Sequence, residues 1–129
     1  MNVASRSGSQ LLTVADPPVV QVINGTGAAP VVLVCDHASN SVPISLGALG
    51  LSASELDHHI AWDDGAAAVT RRLSERFDAP AVLAGYSRLV IDCNRKLGHE
   101  TSIVAVSDGI VIPGNTKISK EEATRRADA

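Results

Sequence analysis

With 129 residues the chain has room for one domain of ordinary size and not for two, and 45% hydrophobic against 19% charged residues set it apart from disordered and collagen-like chains. A net charge of −3 and a pI near 5.7 supply no phosphate attraction of the kind that dominates nucleic-acid binding, so nucleic acid is excluded as a partner class. The sequence holds neither a signal-peptide h-region nor a run near the roughly 20 apolar residues of a membrane span, which predicts a cytoplasmic protein with no membrane partner.

Aromatic residues are 2% of the chain, so the core has to be aliphatic. Residues 1–18 are polar and end in Asp16-Pro17-Pro18; they read as a flexible leader, with a single α/β domain over 19–129. Val19 to Ile23 reads as a short strand closed by the turn pair Asn24-Gly25. Pro30 opens PVVLVCD, whose unbroken β-branched run predicts a strand covered on both faces. ASELDHHIAW reads as a short helix capped by Ser52 or Ser54, with Glu55 at capping-box spacing from Ser52. A second helix is expected from Asp64 to Phe77, burying the stripe Val69, Leu73 and Phe77 and stopped by Asp78-Ala79-Pro80. AVLAGY and RLVIDC read as a tightly connected antiparallel pair, which makes the sheet mixed. A polar loop after Arg95, a strand or turn at IVIPGN, and a helix from Ser119 with Glu122 at capping spacing complete the chain. Cys35 and Cys93 both lie in apolar runs and read as reduced, buried, structural thiols.

Three segments carry candidate chemistry. CDHASNSVP follows the PVVLV strand, and ligands of α/β proteins bind beyond the carboxyl ends of strands, which singles out Asp36, His37, Ser39 and Asn40. The imidazole of His37 suits a metal or a proton transfer; the structural alternative is a loop histidine satisfied by backbone. In HHIAWDDGA, Asp63 and Asp64 precede a helix, where one carboxylate suffices as a cap and the other is free to join His37 on a metal. His58 and His59 point about a quarter-turn apart on a helix and are weaker candidates. In SRLVIDCNR, read as a strand, Arg88 and Asp92 stand roughly 13 Å apart and are not a pair. Arg88 and Arg95, with Asn94, suit capture of a carboxylate by planar guanidinium forks, whereas Asp92 reads as an internal salt bridge to an arginine of a neighbouring element.

The series CDHASNSVP, HHIAWDDGAAAV, YSRLVIDCNR and SDGIVIPGN, in this order over about residues 30–125, resembles the N-formylglutamate amidohydrolase family. The resemblance implies an α/β fold with a mixed, mainly parallel sheet flanked by helices, related to zinc-dependent exopeptidases and deacylases. It further implies a divalent metal, zinc, with His37 as a ligand and Asp63 as a ligand or neighbour of the metal. Arg88, Asn94 and Arg95 would hold a small anionic N-acyl amino acid, with Ser39, Asn40 and Asp64 as further pocket residues. The implied reaction is removal of formyl from N-formylglutamate or a similar N-acyl amino acid, within amino-acid (histidine) degradation. Members of the family are longer, and the resemblance puts a further histidine ligand and the general base in a C-terminal part that the chain stops before. The expectation is therefore an N-terminal part of the domain. The alternative is a non-catalytic remnant or binding module of the same fold, with an exposed edge prone to self-association.

Overall fold

The computed structural model describes residues 10–129. A three-stranded sheet is built from β1 (Val20–Ile23), β2 (Leu33–Cys35) and β3 (Ala81–Ala84), in the order β1-β3-β2. β3 runs antiparallel to β1, pairing Val20 with Ala84, and parallel to β2, pairing Cys35 with Leu83. The sheet is mixed as expected but not mainly parallel, because β3 has one partner of each sense. The parallel pair is bridged by the 12-residue helix α2 (Ala66–Phe77), a crossover that parallel strands require.

α2 covers one face only: Ala66 and Ala67 pack on Cys35, Ala81 and Leu83. The opposite face leaves Val20, Val22 and Val34 exposed, Val34 by 70%. The expectation of a strand covered on both faces is therefore corrected: β2 is a short edge strand, and its alternate residues look away from the helix. The apolar stripe expected to be buried on α2 is likewise exposed at Val69, Leu73 and Phe77. The helix instead buries Thr70 and Ser74, small residues that let it lie close to the sheet. Their hydroxyls are satisfied locally, Thr70 by the Ala66 carbonyl (2.9 Å) and Ser74 by that of Ala79 (2.6 Å). Asp78 ends the helix in the left-handed conformation, φ 50°, its carboxylate taking bonds from the Asn24 side chain and the Ala28 amide.

The second core is built from loops: Leu49, Leu51, Ile60, Ala61, Leu89, Val90 and Ile112. RLVIDC belongs here and is not a strand. A turn closed by the Val90 amide on the Ser87 carbonyl (3.0 Å) replaces the extended chain, and Leu89 and Val90 are both buried in this core. Cys93 at its end is exposed rather than buried, its thiol bonded to the Asp36 carbonyl. ASELDHHIAW is helical only at α1 (Ala53–Leu56), where the Ser52–Glu55 capping box forms in both directions. An unanticipated 3₁₀ segment, Ile44–Gly50, passes through left-handed Gly47, Ala48 and Leu49 and drives the Leu49 side chain into the core. Asp108-Gly109, both at positive φ, turns β4 (Val106–Ser107) into β5 (Ile110–Val111). The final helix, α3 (Lys120–Ala127), starts at Ser119, whose hydroxyl accepts from the Glu122 amide.

Part of the segment read as leader is held against the domain. Leu11 is buried, its carbonyl accepts from the Ser45 hydroxyl, and the Asp16 carboxylate accepts from the Ile44 amide at 2.8 Å. Residues 1–9 lie outside the described residues. Among the described residues no helix is long and apolar enough to cross a membrane.

Candidate functional site

The site forms where three segments meet at the carboxyl end of β2. A backbone bond from the Asp63 amide to the His37 carbonyl, 3.0 Å, ties the strand exit to the segment leading into α2. Ser87, fully buried, joins both to the third segment. Its amide donates to Ser41 and its hydroxyl to Ala61, at 2.8 and 2.7 Å.

This frame brings His37, Asp63, Arg88 and Asp92 together. The buried imidazole of His37 lies between two carboxylates: Nε2 is 2.8 Å from Asp92 Oδ1, and Nδ1 is 3.3 Å from Asp63 Oδ2. Arg88 closes the cluster, reaching Asp63 Oδ1 at 3.3 Å and Asp92 Oδ2 at 3.4 Å. The strand reading had put Arg88 and Asp92 far apart; the turn at Ser87–Val90 makes them an ion pair. Asp92 does sit in an internal salt bridge as expected, but its arginine comes from its own segment.

Burial by itself raises the Asp92 carboxyl, but the His37 hydrogen bond, the Asn94 amide and the charges of His37 and Arg88 outweigh it and hold the group below the usual carboxylate range. An ionised carboxylate only accepts, so the 2.8 Å bond puts a proton on Nε2. The other ring nitrogen, Nδ1, faces an oxygen of Asp63 across 3.3 Å, a contact that a proton on Nδ1 or a cation between the two atoms makes favourable.

A cleft of about 560 Å³ opens on this contact, lined by His37, Asp63, Asp64 and Asn94 with Val34 and Val69. Asp64 is exposed and makes no side-chain bond among the described residues; neither aspartate caps α2, whose N-cap is Gly65, at φ 81°. Ser39 and Asn40 do not line the cleft. The Ser39 hydroxyl accepts from the Ser41 amide, and the Asn40 side chain clamps the loop to the Leu56 carbonyl and Asp57. Arg95 is exposed, bonded to the Asn94 carbonyl at 3.3 Å and free of any carboxylate partner among the described residues. His58 and His59 are both exposed, and His59 Nε2 pairs with Asp108 at 3.1 Å. Among the described residues no group of three or more His, Cys, Asp or Glu is placed to hold a metal ion.

Two residues of the cluster escaped sequence reasoning as functional groups. Asp92 was visible as an acid inside an apolar run, a signal obscured by the strand assignment. Ser87 carried no signal of its own.

Residues 29–129 match the family model described as N-formylglutamate amidohydrolase. The chain belongs to this family. Among solved structures it is similar to a gene product of Agrobacterium tumefaciens, 43% identical with a TM-score of 0.88. The match covers 92% of this chain and 47% of that one, so the chain spans about half of the solved relative's length. A search among curated proteins returns no match. Family membership bears out the resemblance read from the four motifs.

Proposed function

We propose that this chain belongs to a metal-dependent amidohydrolase that releases formate from N-formylglutamate or a similar N-acyl amino acid, with zinc as the metal. The relation to zinc-dependent exopeptidase and deacylase folds is part of the same proposal. The observation that carries it is the line Asp92–His37–Asp63, with Nε2 of the imidazole held by one carboxylate and Nδ1 facing the other.

The 3.3 Å separation of His37 Nδ1 and Asp63 Oδ2 supports the reading. Tetrahedral zinc, bound to imidazole at about 2.0–2.1 Å and to carboxylate at about 2.0–2.2 Å, keeps those two ligand atoms about 3.3–3.4 Å apart. A charge-assisted N–H···O bond settles nearer about 2.7–2.9 Å, as Nε2 to Asp92 does. His37 Nδ1 and Asp63 Oδ2 would therefore be the two ligands this chain supplies, and Asp92 the carboxylate that orients the imidazole from behind. Held by these residues, zinc would supply a water of lowered pKa, about 7, and a Lewis acid for a carbonyl. Asp63 is kept in place by Arg88, while Asn94 at the cleft and Arg95 beside it offer an amide and a fork of N–H donors to the substrate's carboxylates. The remaining ligand and the general base are expected in the part of the family domain beyond these residues.

Equilibrated against trace zinc, a chain carrying the whole family domain should retain about one ion per molecule and release formate from N-formylglutamate, and His37→Ala should lose both. Zinc and substrate bound without formate would favour the binding-module reading. Binding of neither would end both.

Self-association belongs to the proposal as well. The open edge of β2 and the exposed Val31, Val32 and Val34 form a strand-pairing template. Sedimentation should show mass rising with concentration, and Val34→Lys should suppress the rise. A concentration-independent monomer would remove this part of the proposal.

A further inference from the structure

Cys35 and Cys93 are the two cysteines of the chain, and both are reduced. They flank one junction. Cys35 ends β2, two residues before His37, and Cys93 directly follows Asp92, so the 2.8 Å contact of His37 Nε2 with Asp92 Oδ1 joins the two segments that carry them. Cys93 makes a bond of its own across the same seam, donating its thiol hydrogen to the Asp36 carbonyl, 3.4 Å away and one residue from Cys35. Cys35 also lines the His37 cleft, together with Asn94, the residue after Cys93. The thiols act on each other electrostatically: burial, and then the charges of Asp36, Asp92 and Cys35, hold the Cys93 thiol above the ordinary thiol range. Their freedom to move differs. Cys35 is buried in a strand paired to β3, whereas Cys93 opens an exposed stretch, residues 93–101, that belongs to no helix or strand.

We propose that Cys35 and Cys93 are a redox pair, which a small-molecule disulfide converts to a disulfide within the chain, and that this bond detaches Asp92 from His37. The consequence for a metal rests on the amidohydrolase reading; the bond and its effect on His37 do not. In the first step the Cys93 thiolate attacks one sulfur of the reagent, whose S–S bond breaks and releases one thiol. Cys35 then attacks the Cys93 sulfur of the mixed disulfide and releases the second. Both cysteines are oxidised, the reagent is reduced to two thiols, and the two protons that the cysteines lose end on those thiols. Detachment follows from what the new bond consumes. A disulfide sulfur carries no hydrogen, so Cys93 gives up its hold on the Asp36 carbonyl. An S–S bond of about 2.05 Å also needs the two Cβ atoms about 3.5–4.5 Å apart, and the exposed stretch, not the paired strand, is the side that moves to meet this. Asp92, one residue from Cys93, moves with it.

The test is treatment of the native, metal-free chain with oxidised glutathione, followed by intact mass, non-reducing electrophoresis and NMR of the His37 ring. The wild type should lose both thiols within one chain and retain no glutathione. The hydrogen-bonded Nε2 proton of His37 should disappear into solvent exchange on oxidation and return with dithiothreitol. Cys93→Ser should keep that proton signal and make it insensitive to the oxidant, and Cys35→Ala should stop at a mixed disulfide on Cys93. Chelator competition should show zinc affinity falling by about 10–100-fold on oxidation, the usual effect of losing a carboxylate behind a metal-binding histidine. Persistence of both thiols in the wild type, a product that stops at the mixed disulfide, bonds formed only between chains, or an internal disulfide that leaves the Nε2 proton in place each overturns the proposal. Zinc bound by neither redox form overturns the amidohydrolase reading instead, and the Nε2 proton then still decides the fate of the redox pair.

Discussion

Arg126→Ala should destabilise the fold by about 3–5 kcal/mol, the cost of removing one member of a buried charged network and leaving the others unpaired. The Arg126 side chain is 1% exposed. Its guanidinium donates to the Val90 carbonyl at 3.0 Å, to Asn115 Oδ1 at 2.7 Å and to Glu122 Oε1 at 3.1 Å. Asn115, itself buried, uses its amide to hold the Leu89 and Val104 carbonyls, both at 2.8 Å. One side chain from α3 thus fixes, directly or through Asn115, the segment that presents Asp92 to His37. Arg126→Lys should recover little, because an ammonium lacks the spread of Nε, Nη1 and Nη2 that reaches Glu122, the Val90 and Asn115 oxygens and the Gly114 carbonyl together. Urea unfolding is the measurement, and a midpoint shift equivalent to under about 1 kcal/mol, the range of a solvated ion pair, would sink this account.

Asp92→Asn should lower zinc affinity by about 10–100-fold, the usual effect of removing a carboxylate that orients a metal-binding histidine. The substitution keeps size and leaves one carbonyl oxygen, but it discards the charge that His37 and Arg88 both face. If the new amide instead turns its NH2 group to the ring, Nε2 must accept, the proton moves to Nδ1, and the ligand atom is blocked. Both outcomes weaken the site, and competition with a chelator measures the loss. Unchanged affinity would mean that the His37–Asp92 bond serves the fold alone.

The same substitution has a signature in acid. The Asp92 carboxyl is depressed in the folded state, so its stabilising contribution is complete above the ordinary carboxylate pKa of about 3.9 and disappears as pH falls through the lower, folded value. Acid unfolding of Asp92→Asn should lose that component, with a shallower dependence of stability on pH below the carboxylate range.

What could be read from residue order was whatever depends on near neighbours. Asn24-Gly25 ends β1, Asp78-Ala79-Pro80 ends α2, and Ser52 and Ser119 cap their helices, because turns and caps are settled within three or four residues. The four motifs in series led to the family, and they singled out His37 and Asp63, which the fold places in contact. Apolar pattern proved a poorer guide to burial. It reports which residues avoid water but not which face receives a cover, so Val34 and the Val69-Leu73-Phe77 stripe stand exposed while Thr70 and Ser74 are buried.

Tertiary structure alone decided the partners of Asp92. Strand periodicity set it apart from Arg88, and no local rule tells a chain to give up an extended run of apolar residues for a turn. That decision came from the loop core around Leu89 and Val90, from Ser87 bonded to two other segments, and from Arg126 reaching in from α3. A buried polar group must find its partner wherever the fold supplies one, and for His37 that partner stands 55 residues away in the chain.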